Sequence, residues 1–365
     1  MISVKDICSC IEEFAPLSFQ ESWDNCGLLV GNPEQTVDKV LLTVDVTEAV
    51  VAEAVDVQAR MIVSHHPLMV SGIRQLTGNT DAQRAITLAI RNDIAIYAAH
   101  TNLDSAPGGV SYRMAAKLGL SDLQALSPQE AGLQKLVTFI PVSCFDKVRQ
   151  AIFDAGAGHT GNYDSCGYSV EGKGTFRALQ GAHPFVGQHG TLHTEPEIRF
   201  EMVFPSRLNR QVVDALVESH PYEEPAYGIY ALQNTDTRVG LGLTGILPNP
   251  VSELHFLSRL KEIFSAPVIR HTKLKGKEIQ KVALCGGSGS SLLPNAIRSK
   301  ADVYVAADFK YHQFADAEQD ILVADIGHFE SEQFAKEIFH EVIIKKFPNF
   351  AVHFSKVITN PINYL

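Results

Sequence analysis

A strand-helix-strand pattern near the start of the chain, ending on two adjacent histidines, is the feature that most limits the fold. Residues 39–45 form an apolar run that ends in an acid, residues 49–59 have helical character, and residues 60–64 form a second apolar run. Strands that alternate with helices indicate a largely parallel sheet, whose ligands bind beyond the carboxyl ends of the strands. The pattern therefore places His65 and His66, which follow the second run directly, at such an edge.

The histidine pair has two interpretations when it is taken alone. Pro67 lacks a backbone donor and keeps His66 extended, so both side chains follow a rigid strand. Neutral imidazole is a common ligand of Zn, Fe and Ni, which favours a metal site. An ordinary polar turn at the end of a strand explains the same residues, and only further ligands elsewhere in the chain decide between the two.

Composition narrows the class of protein. The chain has 365 residues, 45% of them hydrophobic and 20% charged, which is typical of a globular protein with two or three domains. A net charge of −10 argues against general nucleic-acid binding. We expect a cytoplasmic protein without a membrane segment, because no signal-like start or long apolar run is present. The six cysteines form no CxxC pair, so neither a zinc ribbon nor a disulfide framework is indicated.

The order of predicted elements suggests a discontinuous outer domain. The alternation of strands and helices continues with a helix over residues 81–92 and a strand over 94–99. It resumes near the end of the chain with strands over 281–285, 303–306 and 321–325 and a long helix over 327–346. Between these two parts of the chain, residues 131–232 are predicted to have the order β-α-β-β-α-β, which is the ferredoxin-like order. We predict an α/β protein whose outer domain, with mixed or parallel sheets, comprises residues 1–128 and 236–365, and an inserted α+β domain of residues 129–235.

Further candidate ligands lie after other strands of the outer domain. Asp104 lies in the polar segment after the strand over 94–99, and His328 and Glu332 are four apart at the start of a helix, where their side chains share one face. With His65 and His66 they make three imidazoles and two carboxylates. Because carboxylates can bridge two ions while imidazoles serve as terminal ligands, this set predicts an open dinuclear hydrolytic site.

Several other residues are candidates with a competing structural interpretation. Gly286, Gly287 and Ser288 lie between a strand and a helix, where free N–H groups bind phosphate, but a plain tight turn is equally consistent. Asp308 and His312 follow another strand and are candidates for orienting ligands or for acid-base catalysis. Lower-ranked candidates also have structural alternatives: Trp23 as a pocket residue or packing, His100 as a ligand-orienting or core residue, and Asp45 as a site residue or helix cap.

Five ordered motifs resemble the GTP cyclohydrolase 1 type 2 family, also described as NGG-interacting-factor-like dinuclear-metal proteins, over essentially the whole chain. They are Ser-Trp-Asp-Asn-Cys-Gly-Leu at 22–28, Ser-His-His-Pro-Leu at 64–68, His-Thr-Asn-Leu-Asp at 100–104, Asp-Phe-Lys-Tyr-His at 308–312 and Gly-His-x-x-x-Glu at 327–332. The resemblance implies that His65, His66, Asp104, His328 and Glu332 are the metal ligands. It also implies a PII-like insert, with a His-Pro-Tyr-Glu-Glu-Pro turn at 220–225, and a toroidal homohexamer.

The same resemblance implies a function. Two divalent ions per subunit are expected, with zinc first and Fe, Mn or Ni as alternatives, because mixed N and O ligands suit all of them. A hydroxide on the metal pair would attack C8 of GTP, open the imidazole ring of guanine and release formate. A nucleotide or a small phosphorylated molecule is thus the expected substrate. The alternative is a non-catalytic metal-binding regulatory or scaffold protein whose PII-like insert senses a ligand.

Overall fold

The computed structural model describes residues 1–129, 132–161, 163–317 and 319–365. They form two compact units, one built from Met1–Pro128 with Thr237–Leu365 and the other from Gln129–Asp236. Each unit has hydrophobic clusters of its own, which include Val40, Tyr97 and Ile338 in the first and Leu136, Ile152 and Phe204 in the second.

Several helices begin after a residue whose side chain caps the first turn. Thr47 and Thr80, for example, accept a hydrogen bond from the backbone N–H three residues later and so cap α2 and α3. The helices are α1 Val4–Phe14, α2 Glu48–Asp56, α3 Asp81–Arg91, α4 Thr101–Ser105, α5 Val110–Leu118, α6 Phe145–Asp154, α7 Asn209–Ser219, α8 Glu253–Phe264, α9 Leu293–Arg298, α10 Tyr311–Ala317, α11 His328–Glu332 and α12 Ala335–Lys346.

The strands belong to three sheets, two in the first unit and one in the second. They are β1 Gly27–Val30, β2 Lys39–Thr43, β3 Met61–Ser64, β4 Ala95–Ala98, β5 Ser121–Pro128, β6 Leu133–Pro141, β7 Tyr168–Arg177, β8 Leu192–Pro205, β9 Tyr227–Ala231, β10 Gly240–Ser252, β11 Arg270–His271, β12 Glu278–Leu284, β13 Val303–Ala306, β14 Leu322–Asp325 and β15 Ala351–Phe354.

The two sheets of the first unit share one design, in which parallel strands occupy the centre. The five-stranded sheet has the order β1-β4-β3-β2-β15, and β4, β3, β2 and β15 are parallel. The six-stranded sheet has the order β11-β14-β13-β12-β10-β5, with β12, β13 and β14 parallel. Strands β3, β4, β13 and β14 are buried at every residue, as expected for parallel strands covered on both faces.

The second unit has the element order β-α-β-β-α-β and an antiparallel sheet in the order β7-β8-β6-β9. Alternate residues of β8, among them Phe200 and Phe204, pack with α6 and α7 through Ile152 and Leu216. The intervening residues of β8 face away from these helices because side chains alternate along a strand.

The predicted α/β class with parallel and antiparallel strands is confirmed. The long helix predicted over residues 327–346 is wrong in one respect, because α11 ends at Glu332 and a separate helix, α12, begins at Ala335. Antiparallel strands β5 and β10 were not part of the sequence prediction, since β10 is rich in glycine and proline and lacks a clear alternation. Among the described residues, none of the helices combines the length and apolar character that a membrane span requires.

Candidate metal centre

His65 and His66 are held by the backbone that follows β3. The N–H groups of both residues donate to the carbonyl of Val44, at 3.1 and 2.9 Å, so the pair is tied to the end of the neighbouring strand β2. The side chain of His65 is fully buried, and its Nδ1 lies 2.9 Å from the carbonyl oxygen of Ala99. Because a carbonyl only accepts, Nδ1 carries the proton and Nε2 keeps its lone pair.

His66 and His328 are oriented in the same way by carboxylates. Nδ1 of His66 donates to Asp45 at 2.7 Å, and Nδ1 of His328 donates to Asp308 at 2.7 Å. Asp45 follows β2 and Asp308 follows β13, where it adopts a left-handed conformation with φ 61°. Partners of this kind fix the tautomer of metal-binding histidines. Both rings therefore present Nε2 as the ligand atom.

The three Nε2 atoms surround the carboxylate of Glu332. Its Oε2 lies 2.9 Å from Nε2 of His66 and 3.0 Å from Nε2 of His328, which are 3.3 Å apart. Its Oε1 lies 3.6 Å from Nε2 of His65. Ligands at ~2.1 Å from a tetrahedral ion stand ~3.4 Å apart, close to these spacings. The ligand atoms of His65, His66 and Glu332 all lie within 4.8 Å of one another and can hold a metal ion.

Asp104 completes the cluster on the side of His65. It lies in α4, directly after β4, and its Oδ1 is 3.6 Å from Nε2 of His65. Two buried atoms of the cluster lack a hydrogen-bond partner among the described residues: Nε2 of His65 and Oδ1 of Asp104. Buried polar atoms without partners are costly, so this donor set fits a cation that would satisfy both.

Neighbouring carboxylates raise the pKa values of two histidines in the cluster. Burial opposes a charge on His66, but hydrogen bonds to Asp45 and Glu332 outweigh it and raise the pKa of His66 to about 10. The pKa of His328 is raised to about 11 in the same way, with Asp308 as the outer partner. Protons on both Nε2 atoms would place two N–H groups head to head across 3.3 Å. A divalent cation would remove this conflict and would pair with the same carboxylate.

Comparisons with known proteins point to one family over nearly the whole chain. A family model described as Duf34/NIF3 (NGG1p interacting factor 3) matches residues 2–361. This chain belongs to the Duf34/NIF3 family.

Individual members of the family extend the similarity. The chain is 38% identical to a protein of Halalkalibacterium halodurans and 35% identical to one of Bacillus subtilis, both named "GTP cyclohydrolase 1 type 2 homolog". These alignments cover 97% and 100% of this chain and 96% and 99% of the relatives. A crystal structure of a Bacillus cereus protein related to NIF3 superposes with a TM-score of 0.89 at 36% identity, covering 100% of this chain and 99% of that one.

In this NIF3-family chain the glycines after β12 lie against the ligand carboxylate. A Cβ at Gly287 would collide with Oε1 of Glu332, so only glycine allows this approach. The N–H groups of Gly286 and Gly287 donate to the hydroxyls of Ser111 and Ser331, at 3.4 and 2.9 Å. They are therefore not free to bind phosphate, and the expected phosphate cradle is not supported at these two amides. Ser288 instead hydrogen-bonds to Asp308.

A second group of side chains borders the cluster of the NIF3-family chain. Nδ1 of His100 donates to Asp24 at 2.9 Å, and the His100 ring lies 5.4 Å, centroid to centroid, from each of the rings of His65 and His66. Trp23 stands edge-on to His100 at 5.9 Å and is 57% exposed. Trp23 thus borders the site through its contact with His100, and its role as a pocket residue stays a prediction.

The remaining candidate does not join the cluster. His312 is exposed in α10, where its ring packs edge-on against Tyr311, and no contact links it to the ligand set within the described ranges. Its acid-base role therefore stays a prediction, whereas Asp308 accepts a hydrogen bond from Nδ1 of His328.

Residues near the end of the chain were missed entirely. The hydroxyl of Thr359 donates to Asp45 at 2.6 Å, and the side chain of Asn360 donates to Glu330 at 3.1 Å. These contacts hold the carboxylate that orients His66 and the helix that carries Glu332. Single polar residues in an irregular segment carry no periodic signal, so the sequence offered no means of finding them.

Proposed function

We propose that this chain is a dinuclear-metal hydrolase and that ring opening of GTP with release of formate is its reaction. The observation that carries the proposal is the convergence of three imidazole Nε2 atoms on both oxygens of the buried carboxylate of Glu332. The names of the relatives supply the candidate reaction.

The two oxygens of Glu332 suggest how two ions would be shared. His66 and His328 are grouped with Oε2, whereas His65 and Asp104 are grouped with Oε1. We propose that His66 and His328 would hold one ion and that His65 and Asp104 would hold the other, with an oxygen of Glu332 available to each. Bound divalent ions polarise a substrate and lower the pKa of water from 15.7 towards ~7, which is the chemistry that a hydrolase requires.

The protein's own residues would position the substrate and the ligands. Asp45 and Asp308 hold two imidazoles in the tautomer that leaves Nε2 free. The exposed indole of Trp23 offers a flat surface beside the cluster on which a purine base can stack. His100, whose Nδ1 is engaged by Asp24, retains one ring nitrogen for a substrate or a water molecule.

Formate release from GTP by the metal-loaded full chain tests the proposal. We expect formate in proportion to turnover, loss of activity after chelation, and recovery when Zn, Fe, Mn or Ni is restored. His66→Ala should lose metal and activity together. Formate production that is unaffected by chelation would overturn the role of the metal ions. A protein that retains its ions and yet releases no formate from GTP would overturn the proposed reaction and favour the regulatory alternative.

We also propose the assembly that the family resemblance implies, a toroidal homohexamer with the inserted unit as a PII-like domain. The β-α-β-β-α-β order of the second unit is compatible with that assignment. Analytical ultracentrifugation would show a particle of six chain masses if the assembly is right and a single chain mass if it is wrong.

A further inference from the structure

The second unit contains a cavity on the face of its sheet that lies away from α6 and α7. The cavity has a volume of about 580 Å³, within the range of small-molecule sites. It is mostly apolar, and its wall includes Phe139, Phe176, Phe185 and Tyr222. The ring of Tyr222 packs against those of Phe176 and Phe185 at 5.9 and 6.4 Å between centroids.

One polar group in this wall stands out because it is a buried carboxylate. Glu197 is only 7% exposed, and its Oε1 accepts a hydrogen bond from the hydroxyl of Tyr222 at 2.9 Å. Its Oε2 has no hydrogen-bond or ion-pair partner in the described parts of the chain. A Cβ at Gly174 would collide with this oxygen, so glycine on the neighbouring strand makes the space that the carboxylate occupies.

The nearby basic side chains do not neutralise Glu197. Arg199, two residues along β8, pairs with Glu201 at 2.7 Å. Lys173 lines the cavity, but no ion pair joins it to Glu197 within the described residues. Burial and the hydrogen bond to Glu197 raise the pKa of Tyr222, so its hydroxyl remains a neutral donor. A buried carboxylate needs a cationic or hydrogen-bonding partner, and Glu197 has room for one more.

The surroundings favour a positively charged partner. Glu171, Glu223 and Glu224 also line the cavity and add negative charge to its wall. The faces of aromatic rings attract cations, with a strength that increases as water is excluded. Rings, carboxylates and apolar volume together match a molecule that carries a cationic nitrogen on a carbon skeleton.

We propose that this cavity binds a small organic amine. Its ammonium group pairs with Oε2 of Glu197, and its apolar body lies among Phe139, Phe176 and Tyr222. An anionic molecule such as a nucleoside triphosphate is disfavoured here by the same carboxylates. The proposal does not depend on the metal centre, because all of its residues belong to the second unit.

Isothermal titration of the full chain with three probes of matched size tests the charge requirement. The probes are 2-phenylethylamine, 2-phenylethanol and 3-phenylpropionate, which are cationic, neutral and anionic. We expect saturable binding of the amine, binding of the alcohol at least ~10-fold weaker, and none of the acid. Equal binding of amine and acid, or no binding of the amine at millimolar concentration, would overturn the proposal.

Two variants of the second unit locate the site. Glu197→Gln preserves the shape of the side chain and removes its charge, so amine affinity should fall at least ~10-fold. Glu218→Gln removes an exposed charge in α7, outside the cavity wall, and should leave the affinity unchanged. Circular dichroism establishes that both variants are folded, and chelation of the metal should leave amine binding intact. Unchanged amine affinity in Glu197→Gln would contradict the assignment, whether or not the oligomeric state of that variant changes.

Discussion

The carboxylates of Glu332 and Glu197 occupy similar local settings but have different neighbours. Both are buried, at 2% and 7% exposure, and both lie against a glycine whose Cβ would collide with them, Gly287 and Gly174 respectively. Around Glu332 the nearest groups are imidazole nitrogens held by outer partners. Around Glu197 they are aromatic rings and one tyrosine hydroxyl.

The difference shows that a buried carboxylate acquires its role from the donors and acceptors around it. Nitrogen lone pairs that converge on Glu332 leave positions for a metal ion, which can bind several such atoms at once. Rings cannot ligate an ion of this kind, but they stabilise an organic cation. Variants that alter one carboxylate or its glycine should therefore affect one ligand class and leave the other unchanged.

The largest effect is expected from Glu332→Gln, because that residue contacts both groups of proposed ligands. Removing its charge should lower metal affinity by more than the ~10–100-fold that loss of an outer partner costs. Glu337→Gln is the matched control, since Glu337 lies in the next helix and pairs with Lys117 instead. Competition with a chromophoric chelator measures the affinity. Equal losses in both variants would refute the bridging role.

The next largest effect on metal affinity is expected from the carboxylates that orient the histidines, Asp45 and Asp308. Asp45→Asn and Asp308→Asn leave all five proposed ligands in place but weaken the hold on the tautomers of His66 and His328. We expect metal affinity to fall ~10–100-fold in each. Histidine ¹⁵N chemical shifts would report the tautomer independently of activity. Wild-type affinity together with unchanged shifts would show that the two carboxylates do not orient the rings.

The pH dependence of metal binding should follow from the raised pKa values of His66, about 10, and His328, about 11. Since metal must displace a proton below these values, affinity should rise at least ~10-fold per unit between pH 6 and 9. The stability of the chelated protein should change in the opposite direction. Charged histidines stabilise the fold fully below pH ~6.5, and this contribution is lost as pH rises through 10 to 11. Calorimetry at several pH values checks both trends.

Much of the metal centre follows from sequence patterns, and the rest requires the folded chain. His65, His66 and Asp104 follow buried strands, and His328 and Glu332 are one helical turn apart, so strand and helix periodicity predicts their positions. The pattern does not reveal that Gly287 packs on Glu332 or that Thr359 donates to Asp45 across 314 residues. Such contacts depend on the packing of distant segments. The separation of α11 from α12 was missed because Gln333 and Phe334, which lie between them, include no glycine or proline to mark a break.

The smallest effects are expected from the glycines, and they separate the two sites most cleanly. Gly287→Ala should reduce metal binding but not amine binding, and it also carries strain because φ is +59°. Gly174→Ala should reduce amine binding but not metal binding. Crowding of this kind costs about 1–3 kcal/mol. Metal titration and amine titration of both variants give the result. A loss of both ligands in either variant would point to general unfolding instead.

The central claim is that one carboxylate joins two metal ions, and metal stoichiometry tests it most directly. Inductively coupled plasma mass spectrometry of the purified, metal-loaded chain should find two divalent ions per chain. Asp104→Asn, which changes only the group containing His65, should retain one. A wild-type chain that binds a single ion, or an Asp104→Asn chain that still binds two, would contradict the account.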